Sequence, residues 1–167
     1  GYYLRWAGRL DEAIAAFRTA LGLVPGRMVT HYRIGEALLL KGDLASALED
    51  MQQEPVEAWR LIGLSLVYHA LGEGAESSKA VEKLIGLYGG VAAYNIAYIH
   101  AFRGEADQAF EWLEKAEALQ DSGLSQIAQE TLFENINEDP RWLPFLQRIG
   151  RSPEQLAAIE FNVTLPQ

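Results

Sequence analysis

The sequence predicts an all-α fold of antiparallel helix pairs followed by a helical C-terminal extension, and three observations predict it. Gly8, Gly42, Gly72 and Gly104 recur at intervals of 34, 30 and 32 residues, a spacing that marks stacked helix–turn–helix units. Residue size repeats around each glycine. A small residue stands five positions after it (Ala13, Ala47, Ser77, Ala109), a large apolar one nine after (Phe17, Met51, Val81, Leu113), and a small one seven before (Gly1, Gly35, Ser65, Ala97). Finally, the spacings of 3, 4 and 7 within each unit are helical, and strand-like alternation is absent until the last few residues.

Each element follows from this ruler. The glycine ends the first helix of a unit and permits the turn; the small residues let the helices cross closely; the large one fills the space between them. The chain is expected to begin partway through the first helix of a unit. Pro25 closes that unit. Pro55 cuts the second short, because proline lacks a backbone donor and restricts the residue before it, so a stubby helix over 43–52 and a tight turn into 55–71 are expected. Glu54 breaks the register: the other units carry Ala20, Leu84 and Ala116 at that place. Downstream, Ser125–Leu132 reads as a helix, and Asp139-Pro140-Arg141-Trp142 starts another running to Ile149. Ser152-Pro153-Glu154-Gln155 is a helix start, with serine as N-cap, proline at the first helical position and glutamine at the capping-box position. After Glu160 the period changes: Phe161, Val163 and Leu165 alternate with Asn162 and Thr164, which implies an extended tail with one apolar face.

These segments resemble the tetratricopeptide repeat. The best matches are Gly8-Arg-Leu-Asp-Glu-Ala13-Ile-Ala-Ala-Phe17-Arg-Thr-Ala20 followed by Pro25, and Gly104-Glu-Ala-Asp-Gln-Ala109-Phe-Glu-Trp-Leu113-Glu-Lys-Ala116. The departures are the short second unit, Glu54, Ser77, and Gly74 where a larger apolar residue is usual. The resemblance implies an α-hairpin right-handed superhelix with a helical C-terminal cap. It implies a repeat array over residues 1–123 (a partial first repeat 1–27, then 28–57, 58–89 and 90–123) and an extension over 124–167. The ending is also similar to the C-terminal repeat region of bacterial multidomain regulators, which join such arrays to adenylate cyclase, winged-helix or kinase domains.

Composition narrows the function. With 14 Lys and Arg against 23 Asp and Glu, the net charge is −9 and no basic stripe offsets it. Nucleic-acid affinity rests on cations neutralising phosphates, so no nucleic-acid partner is expected. There is no cysteine, which removes disulfides, thiol catalysis and cysteine-based metal sites and leaves cytoplasm and periplasm both open; a soluble cytoplasmic module is the expectation. The longest nearly uncharged stretch, Leu61–Gly72, falls short of the ~20 residues of a membrane helix, so no membrane insertion is expected. No catalytic constellation is present and no enzyme, cofactor or metal is expected. Gly72-Glu73-Gly74 lacks the third glycine, the lysine and the preceding strand of a phosphate loop. Ser65 is no nucleophile elbow. His31, His69 and His100 form no i, i+4 pair, and only His69 and His100 lie on neighbouring first helices. Glu130, Glu134 and Glu138 read as a solvated helical face.

The surface carries the functional signal. Residues Trp59–Leu71 hold one charge, Arg60, and Val91–Phe102 hold none. A helix apolar all round is buried all round, so something must cover the second face. In the family the resemblance points to, first helices line a concave groove. That places Tyr2, Arg5, Trp6, Tyr32, Glu36, Trp59, Leu66, His69, Tyr94, Tyr98 and Phe102 along it, with Trp6, Tyr32, Trp59, Leu66, Tyr94, Tyr98 and Phe102 as candidate partner-binding residues. The Lys/Asn clamp that some members use for peptide carboxylates is missing. Three occupants remain open: core packing between helices, the protein's own tail through Leu156, Ile159, Phe161, Val163 and Leu165, or a foreign peptide or second copy. The expected function is a protein–protein interaction, scaffold or regulatory module binding an apolar peptide in an aromatic groove. The alternatives are an oligomerisation piece, with a homodimer, and a small-molecule sensor pocket in the same groove.

Overall fold

The structure is a computed structural model and describes residue 4 and residues 7–159; Tyr2, Arg5, Trp6, Phe161, Val163 and Leu165 lie outside the described residues. In chain order the helices are α1 (Leu10–Leu23), α2 (Thr30–Lys41), α3 (Leu44–Gln53), α4 (Glu57–Ala70), α5 (Gly74–Tyr88), α6 (Ala93–Phe102) and α7 (Ala106–Ala118). Two 3-10 segments follow, Ser122–Gln129 and Thr131–Ile136, then α8 (Trp142–Arg148) and α9 (Pro153–Ala157). No strand occurs among the described residues.

The glycine ruler has a backbone cause. Gly42, Gly72 and Gly104 have φ of 81°, 79° and 74°, the left-handed region in which a Cβ costs most. At each, two crossed hydrogen bonds close the helix: the Gly72 N–H donates to the His69 carbonyl and the Glu73 N–H to the Tyr68 carbonyl, a pattern repeated at Gly42 and Gly104. Gly72-Glu73-Gly74 is such a turn, and α5 starts at Gly74.

The resulting hairpins pair α2 with α3, α4 with α5 and α6 with α7, while α1 packs on α2 and α3 on α4. The first helices α2, α4 and α6 also pack beside one another, and Thr131–Ile136 lies on α6. The small crossing residues Ala13, Ala47, Ser77 and Ala109 are all fully buried. Ser77, the hydroxyl among them, donates to the Ser65 carbonyl at 2.7 Å, and Ser65 donates to the Leu61 carbonyl at 2.7 Å. Both hydroxyls are thereby satisfied within the helix crossing, which is the role of Ser65.

Met51 shows why two of the glycines are glycines. A Cβ built on Gly35 in α2 would stand 2.6 Å from the Met51 side chain and 3.1 Å from the Ala47 backbone oxygen. One built on Gly63 in α4 would stand 2.8 Å from the Met51 Cγ, 2.9 Å from its Sδ and 3.3 Å from its Cβ. A flexible methionine can shift, a helical carbonyl cannot. Gly35→Ala is therefore expected to cost about 1–2 kcal/mol, its overpacking strain exceeding the helix-propensity gain. Gly63→Ala is expected to cost less, under about 1 kcal/mol, since its nearest atoms belong to a side chain and not to a backbone carbonyl. Urea denaturation of the two variants side by side measures the difference.

As expected from Pro55, α3 is short, and only Glu54, Pro55 and Val56 separate it from α4. The C-terminal region departs further from the sequence reading. The helix expected over Ser125–Leu132 is two 3-10 segments broken at Glu130, whose carboxylate accepts from the Leu132 N–H at 3.4 Å. The helix expected from Asp139 starts at Trp142, because Asp139 and Pro140 form the turn before it: the Asp139 carboxylate accepts the Arg141 N–H at 2.9 Å and the Arg141 guanidinium at 2.8–2.9 Å. That pairing holds the Asp139 carboxyl down at about 2. At α9 the Ser152/Gln155 capping box forms in both directions, at 3.1 and 3.3 Å, with Pro153 in the first turn.

Candidate functional site

The candidate residues sit on the first helices α2, α4 and α6, and acidic residues set the starts of α2 and α6. Val29 precedes α2 with φ 65° and no capping side chain of its own. The Glu54 carboxylate, fully buried at the end of α3, accepts the N–H groups of Val29 (2.9 Å), Tyr32 (3.1 Å) and Val56 (3.2 Å). Asp121, after α7, accepts the Tyr94 N–H at 3.1 Å and the Gly123 N–H at 2.9 Å. In the second and fourth units a carboxylate from the end of the second helix thus satisfies orphan donors at the start of the first.

Those starts bring Tyr32 and Tyr98, two units apart, into direct contact. The Asn95 amide donates to the Tyr98 hydroxyl (2.8 Å), the two phenols hydrogen-bond each other (3.1 Å), and Tyr32 donates to Glu36 (3.2 Å). The Arg33 guanidinium pairs with Glu36 at 3.0 Å and lies 5.1 Å from the Tyr32 ring centroid and 5.4 Å from that of Trp59. Glu36 is 1 % exposed; the pairing compensates its burial.

Of the candidate binding residues, Tyr32, Leu66, Tyr94 and Tyr98 are buried, at 1, 0, 5 and 3 % exposure. Trp59 and Phe102 are half-buried. The apolar first helices are covered, as their composition requires, and over α6 the cover is the chain itself. Phe133, 1 % exposed, packs its ring 5.7 Å from Tyr94, 6.4 Å from Tyr98 and 5.2 Å from Trp142. Gly123 crosses the Tyr94 ring so closely that a Cβ there would overlap it. The Asn135 amide donates to the Phe102 carbonyl at 2.7 Å, tying residues 122–136, a strap across this face, to the end of α6.

The expectation that the tail from Leu156 lies in the groove is corrected for its described part: Leu156 is half-buried, Ile159 is 50 % exposed, and residues 122–136 occupy the face of α6. The histidines go separate ways. His31 hydrogen-bonds Asp50 at 3.1 Å, His100 hydrogen-bonds Glu105 at 2.6 Å, and His69 meets Phe102 edge-on at 5.8 Å. Burial, with Arg103 nearby, pushes the His69 pKa down. No group of three metal-ligating residues gathers among the described residues.

The strap leaves a recess on either side. A polar one of about 300 Å³ lies among Arg33, Trp59, Asn95, Asp121 and Gln126. A more apolar one of about 320 Å³ lies among Leu10, Leu40, Phe102, Leu132 and Asn135.

The buried phenols give the face a pH signature. Burial, reinforced by the Glu36 carboxylate, raises the pKa of both Tyr32 and Tyr98 above 10.0. The unfolded chain ionises them near pH 10 while the folded chain keeps them protonated, so their contribution is whole below pH 10 and shrinks above it. Each is expected to subtract about 1.4 kcal/mol per pH unit there. Melting temperatures from pH 9 to 11 should fall less steeply for Tyr98→Phe than for the parent chain.

The sequence reading missed Phe133, Asp121 and Gly123. The irregular Glu54 was the one signal it held for the caps.

Among the described residues no helix is long and apolar enough to cross a membrane. No curated protein matches the chain. Residues 91–122, spanning α6 and α7, match the family model of the tetratricopeptide repeat, and the fold is an all-α helical repeat of that type.

Proposed function

We propose that the chain is a protein-interaction module that takes apolar side chains of a partner peptide in the recess between Leu40 and Phe102. Tetratricopeptide repeats generally mediate protein–protein contacts. The observation that carries the reading is the recess itself. Leu40 remains 37 % exposed and Phe102 half-exposed, whereas Tyr32, Leu66, Tyr94 and Tyr98 of the first helices are sealed. Its volume of about 320 Å³ suits one or two aliphatic or aromatic side chains, and Gln129, Thr131 and Asn135 edge it with groups that can orient a peptide backbone. Trp59, beside the polar recess, supplies a second contact for the polar residues of the same segment, consistent with aromatic anchors dominating interfaces.

The test is a selection from a random peptide library on the parent chain, with each selected peptide then measured on Leu40→Asp. Leu40 is exposed enough for the substitution to leave the core alone. Peptides with a shared apolar motif that lose binding on Leu40→Asp support the reading; peptides that bind both chains equally overturn it.

A further inference from the structure

The groove between α7 and α8 carries two matched charge pairs and, between them, two carboxylates without a match. Along α7, Asp107, Phe110, Glu111, Glu114 and Glu117 follow helical spacing on one stripe. Along the start and body of α8 the facing stripe is Arg141, Pro144, Phe145 and Arg148. The ends of the two stripes meet as ion pairs, Arg141 with Asp107 at 2.8 Å and Arg148 with Glu117 at 2.8 Å. Midway α8 offers only Pro144, which has neither a charge nor a backbone donor. Glu111 and Glu114, both exposed, have no hydrogen-bond or ion-pair partner among the described residues. Lys115, four residues after Glu111 and placed to pair with it along the helix, lies instead over the Trp112 ring, its Nζ 4.0 Å from the centroid.

The floor of the groove is aromatic. Phe110 and Phe145 are 6 and 3 % exposed, with ring centroids 6.5 Å apart. Each ring already carries a guanidinium of this chain: Arg141 lies 4.4 Å from the Phe110 centroid and Arg148 5.1 Å from that of Phe145. The groove therefore holds the same arrangement twice, a guanidinium on an aromatic ring and paired with a carboxylate of α7. A recess of about 460 Å³ opens beside them, with room for a third.

We infer that this groove binds an arginine side chain of a partner protein, its stem against Pro144 and Phe145 and its guanidinium donating to Glu111 and Glu114. A guanidinium suits the place better than an ammonium. It is planar and weakly hydrated, so it stacks on the floor, and its fork of donors reaches two carboxylates one helical turn apart. The two unmatched negative charges, in a chain of net charge −9, favour a basic partner segment and steer its approach. The groove shares no lining residue with the recess between Leu40 and Phe102, so a partner can use either one without the other.

The probe is N-acetyl-arginine methylamide, titrated into the whole chain at low ionic strength, where exposed charges are least screened. It is expected to bind saturably and to shift the amide resonances of Glu111, Glu114 and Phe145. The citrulline analogue, which keeps the shape and loses the charge, should bind at least ~10-fold more weakly. So should the arginine probe on Glu111→Gln/Glu114→Gln, two exposed positions at which glutamine keeps the helix propensity of glutamate. The citrulline comparison needs no variant and holds even if that one folds poorly. No saturation, shifts spread over other acidic faces, or undiminished affinity in the double variant overturns the inference. Equal affinity for the lysine analogue overturns it too, because charge alone would then be read. Tighter binding of free arginine does the same, since the ligand would then be a small molecule and not a partner protein.

Discussion

Glu54→Ala is expected to lower stability by about 3–4 kcal/mol, the larger part of a typical mutational range in one truncation. The carboxylate is fully buried and accepts three backbone N–H groups, those of Val29, Tyr32 and Val56. Removing it leaves three donors, one buried and two part-buried, without their acceptor, and an unsatisfied buried donor costs about 1–3 kcal/mol. Relaxation and water entry recover part of that sum. Glu54→Gln keeps one acceptor oxygen and puts an amide N–H₂ where the other stood, so it should fall between the parent and alanine. In thermal unfolding followed by circular dichroism, alanine is expected to reduce the melting temperature by roughly 6–14 °C. A drop under 2 °C would mean that the donors at the start of α2 find other partners.

The effect should also reach the Tyr32–Tyr98 contact between α2 and α6. Tyr32 is the third residue of α2, and its N–H is one of the three that Glu54 holds. If the first turn frays, the Tyr32 hydroxyl leaves its contact with Tyr98, and the polar recess by Trp59 loses one wall. Indole fluorescence from the half-buried Trp59 is expected to shift to longer wavelength in Glu54→Ala before global unfolding begins.

How much of this could be read from the sequence depends on how local each cause is. The turns could be, because Gly42, Gly72 and Gly104 answer to a backbone requirement that acts within four residues. So could the α9 capping box, whose partners Ser152 and Gln155 are three apart. Glu54 was visible as an exception to the repeat; its purpose was not, since its partners lie 22 and 25 residues away. The apolar make-up of α4 and α6 announced that a second face was covered. Composition could not say by what: the tail and the strap both carry apolar residues, and the strap folds as 3-10 turns whose period is poorly marked. The candidates Tyr94 and Tyr98 are buried on α6. That they face Phe133 of the same chain, 39 and 35 residues on, is a consequence of the Asp121–Asn135 connection rather than of any local pattern.

Phe133→Ala is the measurement that decides whether the strap or something else seals α6. The ring is 1 % exposed and packs among Tyr94, Tyr98 and Trp142. Truncating a buried phenylalanine costs about 3–5 kcal/mol, part lost transfer and part residual cavity. Here the neighbours are aromatic rings fixed by other contacts, Tyr98 by Tyr32 and Asn95, so little collapse into the cavity is expected and the cost should lie toward the upper end. The 3-10 backbone adds little to hold the strap once the ring is gone, because three of its closing hydrogen bonds, from the Glu130, Phe133 and Asn137 N–H groups, are stretched to 3.4 Å. The variant is therefore expected to bind a hydrophobic dye while retaining its helical circular dichroism, as the faces of Tyr94 and Tyr98 open to solvent. Ile159→Ser, at a half-exposed position beyond α9, is the control and should change melting by no more than ~0.5 kcal/mol equivalent. Strong dye binding in the Ile159 variant with none in Phe133→Ala would return the covering role to the tail; the reverse result fixes the strap as the permanent occupant of the fourth repeat. Partner segments would then enter the recesses beside Trp59 and Phe102 rather than the face of α6 that Phe133 covers.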